Sequence, residues 1–152
     1  MARILSKRLG AIELDEAAVL HFPAGLPGFE HCARFALIER PQAAPIVFLQ
    51  SLDFPEVCFL AAPVTAVDPA YQLEMTAEDS KSLGIGGIDG KSSAEDVLCL
   101  AILSPAESGR FTANLLAPVV IDRKSQRAIQ AVRVDSRYSH RHTLPGEAIE
   151  CS

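Results

Sequence analysis

Few of the residues able to do chemistry in this 152-residue chain stand at the spacings that chemistry requires. His140-Arg141-His142 puts two imidazoles on one face if the segment is a strand, which could begin a metal site. Zinc asks for three or four ligands, and no third histidine or paired cysteine lies nearby in sequence. His21, His31 and Cys32 could join them only through the fold. The stretch from Gly84 to Ser92 (GIGGIDGKS) invites a phosphate-loop reading, but G-x-x-x-x-G-K-S/T needs glycine where Ile85 stands. A flexible Gly-rich connection accounts for it. Cys32, Cys58, Cys99 and Cys151 are widely separated, with no C-x-x-C pair, no G-x-S-x-G and no cysteine at an evident helix start. Glu78-Asp79 and Glu95-Asp96 suit the first turns of helices, where the helix dipole favours acids, better than a general acid–base pair. On this chemistry alone no enzyme emerges, and neither a metal nor a cofactor is expected.

The elements that would position these groups are short. Apolar runs of four to eight residues, rich in Val, Ile and Phe, recur at Val19–Phe22, Phe35–Ile38, Ile46–Leu49, Val57–Ala61, Val97–Leu103, Leu115–Ile121 and Ala128–Val134. Ten prolines break the chain too often for long helices. Pro27-Gly28 suits the centre of a type II turn, and Asp122-Arg123-Lys124-Ser125 separates two runs at hairpin distance. One helix is expected from an N-cap at Thr76 through Leu83, stopping at Gly84, with a second short helical turn starting at Ser93 or Ala94. The expected fold is mainly β: a small antiparallel barrel-like structure with one or two short helices. Cys58 and Cys99 fall within strands and read as small buried hydrophobes.

Composition narrows the function classes. The chain is 49% hydrophobic and 22% charged, far from disorder, and its length suits one domain over residues 1–152. No run approaches the roughly 20 apolar residues of a membrane helix. The first eight residues, MARILSKR, lack the apolar stretch of a signal peptide, so a reducing cytoplasm is the expected compartment. A net charge of −5 and only nine aromatics argue against a protein that works through phosphate contacts or base stacking. The charge is unevenly spread. From Asp53 to Glu107 ten acids face only Lys81 and Lys91, leaving −8, whereas Ser108–Thr143 carries seven bases and two acids. Such a run is either a solvated face or an acidic surface for a basic partner.

Four segments share a further pattern. Phe22-Pro23-Ala24-Gly25-Leu26-Pro27-Gly28-Phe29-Glu30 resembles the N-terminal hallmark of the FliW family of flagellar assembly factors. Phe48–Phe59 (FLQSLDFPEVCF) is similar to that family's FLQSLDxPExxF segment, Asn114–Ile121 (NLLAPVVI) to its NLxAPIVIN strand, and Ser136–Leu144 (SRYSHRHTL) to its YSLRHPL ending. Order and intervals agree across residues 19–144. The sequence departs at His140, where Leu is usual, at Thr143, where Pro is common, at Val47, where an aromatic is frequent, and in a longer Gly-rich stretch after Leu83.

The resemblance implies a monomeric, non-enzymatic FliW-like domain in the cytoplasm, with neither nucleic acid nor membrane as a direct partner. It implies two protein partners bound in mutual exclusion: flagellin, and CsrA, the small dimeric repressor of flagellin translation. Flagellin in excess occupies the protein; once flagellin is exported, the freed protein captures CsrA and lifts repression. Gly25, Pro27 and Gly28 are expected to fix a tight turn, with Phe22, Leu26 and Phe29 seated on the core; direct contact with a partner is the alternative. Phe54, between Asp53 and Pro55, is the candidate exposed aromatic anchor. Glu56, Glu74, Glu78, Asp79, Glu95 and Asp96 are the candidate acidic face for CsrA. A β-barrel RNA-binding or ribosome-associated protein is the alternative reading, and a barrel enzyme or cofactor carrier the third. Reversing several of these acids should weaken CsrA binding and flatten its salt dependence in titrations across ionic strength; unchanged affinity and slope refute the acidic face.

Overall fold

An up-and-down chain of seven strands can close on itself only if its first and last strands run parallel, because alternation over an odd number leaves both pointing the same way. That is the arrangement in the computed structural model, which describes residues 2–72, 78–79, 97–106, 110–131 and 138–144. The strands are β1 (Ala2–Ser6), β2 (Gly10–Leu14), β3 (Val19–His21), β4 (Arg34–Glu39), β5 (Val47–Ser51), β6 (Cys58–Pro63), β7 (Val97–Pro105), β8 (Phe111–Asp122), β9 (Arg127–Gln130) and β10 (His142–Thr143). β3 to β9 pair in chain order, and β9 returns to β3 with His21 opposite Arg127, the one parallel pairing among the described residues. The fold is the mainly β, small barrel-like domain expected from the sequence, antiparallel except at this seam. β10 extends the sheet beside the first half of β8, and β1–β2 form a separate hairpin. Closure leaves none of the seven barrel strands as an open sheet edge along its whole length, which protects against edge-to-edge pairing.

Each of the seven apolar runs supplies one barrel strand. The expected turn at Asp122–Ser125 links β8 to β9, with the Asp122 carboxylate accepting from the Lys124 N–H at 3.1 Å and the Ser125 hydroxyl at 2.8 Å. The helix expected over Thr76–Leu83 is described only at Glu78 and Asp79, which are helical. The helical turn expected at Ser93 or Ala94 and the Gly-rich stretch 84–92 lie outside the described residues. An unforeseen helix, α1 (Val64–Val67), follows β6, and short 3-10 turns occupy Glu16–Ala18 and Pro41–Ala43.

Alternation along the strands builds two cores on opposite faces of one hairpin. Inside the barrel, Leu20, Phe22, Phe35, Leu49, Leu100, Val119 and Ile121 are buried together. On the other side of β7–β8, Ala101, Leu103, Phe111, Ala113 and Leu115 pack with Val64 and Val67 of α1, Tyr71, Tyr138 and Leu144. Each fully buried Leu, Ile or Phe contributes about 1.5–3 kcal/mol of apolar transfer. Cys32 is fully buried in the barrel core. Cys58 and Cys99, expected to be buried, are only half-buried, because their side of β6 and β7 faces away from the barrel interior.

β8 breaks its register to serve both cores. Leu100 of β7 is opposite Val119, but Ile102 is opposite Asn114, so Leu115–Pro118 bulge against Ala101. The Asn114 side-chain carbonyl accepts the N–H groups of Leu116 at 3.1 Å and Ala117 at 3.0 Å. The Leu115 N–H donates to Ser139 and the Leu115 carbonyl accepts from the Tyr71 hydroxyl, each at 3.0 Å. The Ala117 carbonyl accepts from the Gln130 amide and the Pro118 carbonyl from the Ala131 N–H. Asn114→Ala removes one acceptor from two backbone donors and should cost about 1–3 kcal/mol, read as a lower urea midpoint. Asn114→Asp, which keeps the acceptor, should recover most of that loss; equal losses in the two variants refute the role.

Candidate functional site

The Phe22–Glu30 segment is two successive turns held on the barrel core. The Gly25 N–H donates to the Phe22 carbonyl at 2.9 Å, and the Phe29 N–H to the Leu26 carbonyl at 2.6 Å. Gly28, third in the second turn, has φ +85°, the conformation a type II turn demands there. Gly25 has φ +65°, and a Cβ on it would sit 2.6 Å from the Glu30 Cα. Phe22 and Leu26 are buried and Phe29 half-buried, whereas Pro23, Pro27 and Gly28 are exposed. Phe22 and Leu26 thus seat the turn on the core and leave its tip exposed.

The β5–β6 loop stands beside it. The Ser51 hydroxyl accepts the N–H groups of Asp53 at 3.2 Å and Phe54 at 3.1 Å, and the Val57 N–H closes the loop on the Phe54 carbonyl. Buried Gln50 reaches beneath it, its amide donating to the carbonyls of Ser51 at 3.0 Å and Pro55 at 3.3 Å. Asp53 forms an ion pair with Arg34, an exposed contact that positions the loop more than it stabilises the fold. Rings link loop and turn: Phe22 to Phe35 at 5.1 Å, Phe35 to Phe59 at 6.0 Å, Phe59 to Phe29 at 5.0 Å, and His31 to Phe54 at 4.8 Å, with Phe29 and His31 6.3 Å apart. Phe54 is therefore not the free anchor expected from its neighbours; it is half-buried, edge-on to His31 and packed against the barrel core.

Beside these aromatics lies a groove of about 1130 Å³. One wall is Leu26, Pro27, Phe29 and Phe59. Its floor is the end of the β7–β8 hairpin, where Ile102 faces Asn114 and Ser104 faces Thr112 across the ladder. Ala117, Gln130, His140 and Arg141 complete the lining, with Pro105 and Ala106 at the hairpin end. All four sequence motifs, distant along the chain, contribute to this one groove.

The chain matches the FliW protein family over residues 3–144. It is 34% identical to the flagellar assembly factor FliW of Syntrophomonas wolfei, over 93% of this chain and 88% of that one. It is 37% identical to the FliW of Pseudothermotoga lettingae, over 95% and 89%. A crystal structure of the flagellar assembly factor FliW superposes with a TM-score of 0.83 at 28% identity, covering 97% of this chain and 99% of that one. The chain belongs to the FliW family.

In this FliW-family chain the described acids among those singled out from sequence, Glu56, Glu78 and Asp79, do not line the groove. Glu56 is exposed on the β5–β6 loop, at a recess of about 310 Å³ that it shares with Lys7, Arg8, Pro55 and Cys58. Glu78 is exposed and Asp79 half-buried. Glu74, Glu95 and Asp96 lie outside the described residues. His140 and His142 do not share a strand face: His142 opens β10, while His140 is in the preceding turn and lines the groove. Among the described residues no three His, Cys, Asp or Glu side chains cluster as metal ligands. Burial pushes the Cys32 thiol above its ordinary pKa, partly offset by a hydrogen bond with Ser51. Burial raises Cys58 as well, against the opposing charge of Arg8. Both are held in the poorly nucleophilic thiol form.

Sequence reasoning did not find the floor and end of the groove at Ile102, Ser104, Thr112 and Gln130. The available signal was polar residues alternating at the ends of two otherwise apolar runs. At the turn, Gly25→Ala meets both a left-handed φ and the Glu30 backbone, whereas Gly28→Ala meets only the φ. Gly28→Ala should cost about 1–2 kcal/mol. Gly25→Ala should cost more, with a lower Tm in thermal melts; a reversed order refutes the close approach.

Proposed function

We propose that this protein is a non-enzymatic regulator of flagellar assembly that acts in the cytoplasm by holding one protein partner at a time, flagellin or the translational repressor CsrA. The observation that carries the reading is the meeting of all four family motifs on one groove in a chain of the FliW family. Residues far apart in sequence that share a turn, a floor and a wall are explained by a common contact surface. The groove is also held in shape before any partner arrives. The Phe29–Phe59 pair and the Asn114 bulge fix its sides, so little ordering cost remains at binding. Release of CsrA-repressed flagellin translation then follows from which partner is in excess.

A titration of purified protein with flagellin and with CsrA tests this, together with a competition in which each is added to the complex with the other. Both should bind, and a ternary complex should not form. Ser104→Trp, which fills the floor from an exposed position, should weaken at least one partner about tenfold, equivalent to about 1.4 kcal/mol. Binding to neither protein, with RNA retained on purification, favours the RNA-binding alternative and overturns the reading.

A further inference from the structure

Three features of the groove go beyond its being a contact surface, and this inference rests on the reading above. The first is hydrogen-bonding polarity. The Asn114 side-chain carbonyl is occupied by two backbone N–H groups, which fixes the amide orientation and leaves its NH2, a pure donor, at the floor. One N–H of the Gln130 amide donates to the Ala117 carbonyl, and the Gln130 side-chain carbonyl is the acceptor that side chain offers the lining. Arg141, exposed at the rim, adds a guanidinium with no carboxylate partner among the described residues. The second is charge. Among the described residues of the lining there is no Asp or Glu, although the chain as a whole is at −5. The third is shape. The volume exceeds the roughly 300–1000 Å³ of a small-molecule pocket. The floor is two strands wide and carries small or β-branched side chains in cross-strand pairs, Ile102 with Asn114 and Ser104 with Thr112. A helix would need an apolar strip matching positions i, i+3, i+4 and i+7, which this floor lacks.

We propose that the groove is a receptor for an extended, acidic–apolar segment of a partner protein. Apolar side chains on one face of the segment lie against Leu26, Phe29 and Phe59. Carboxylates and backbone carbonyls accept from Asn114 and Arg141. Alternation along an extended chain delivers these two sets of groups to opposite sides, which is the arrangement the wall and floor present. A basic segment is disfavoured by Arg141 and finds no carboxylate among the described lining residues to answer it.

Selection from a phage library of random twelve-residue peptides tests the chemistry without using flagellin or CsrA, so it fails independently of the functional reading. The full-length protein is the bait and Ser104→Trp the counter-selection. Enriched peptides should carry net negative charge with interspersed Leu, Ile, Val or Phe. Synthesised, they should bind Arg141→Glu at least tenfold more weakly than the parent, and Arg141→Lys within about threefold of it. Their binding should fall as salt rises. Thermal melts of all three variants should match the parent, so that lost binding reports the groove. Enrichment of basic or uncharged peptides, equal binding to Arg141→Glu, equal binding to Ser104→Trp, or no enrichment above background each overturns the proposal. So does displacement of the selected peptides by polyuridylate, which would make the site one for phosphates.

Discussion

β8 has to belong to two structures at once, and the rest of the molecule follows from how it does so. Its second half closes the barrel between β7 and β9, while its first half carries β10 and one face of the second core. A straight twelve-residue strand could not change partners on one edge without leaving backbone groups unpaired. The Leu115–Pro118 bulge resolves this, because the N–H groups of Leu115, Leu116 and Ala117 and the carbonyls of Leu115, Ala117 and Pro118 find partners in Ser139, Asn114, Tyr71, Gln130 and Ala131. Proline at 118 has no N–H to satisfy. The same break carries the hairpin end out beyond the barrel core, and that projecting end is the floor of the groove.

Electrostatics separates two places that the net charge merges. At physiological salt, exposed charges are screened beyond roughly 8 Å, so a local surface matters more than the total of −5. The groove has Arg141 at its rim and no carboxylate among the described residues of its lining, while Glu56 lies on the β5–β6 loop among Lys7 and Arg8. Phe54 bridges them structurally, since it belongs to the loop but packs on His31, next to the Phe29 wall. The ring series from Phe22 to Phe54 therefore makes turn, wall and loop one packed unit.

Much of this was legible in sequence because strands announce themselves by short apolar runs, and seven runs gave seven barrel strands. Parity would also have given the parallel seam, since an odd meander must close that way. β1 and β2 were not legible because their hairpin is half-exposed: Leu5 is 62% exposed, so no alternation stands out. α1 was hidden because Val64–Val67 is apolar and four residues long, indistinguishable from a strand end. The Pro27-Gly28 turn could be read, since φ above zero at the third position calls for glycine. Phe54 was misjudged because polar neighbours in sequence say nothing about His31, which arrives from another loop. The groove itself lay beyond reach, being made by register across β7 and β8 rather than by any local pattern.

The motifs that mark the family therefore need not be sorted into structural and functional residues. Asn114 holds the bulge with its carbonyl and presents its NH2 to the groove. Leu26 fills the core from a turn whose next residue, Pro27, is exposed on the wall. Phe29 and Phe59 are each half-buried, with one part of the ring against the barrel core and another lining the groove. In a barrel whose interior is already filled, a binding surface can be made only at its mouth and from the projecting hairpin. The residues that close the core there are the ones left lining the groove. A chain this small has no separate layer in which to keep the two roles apart.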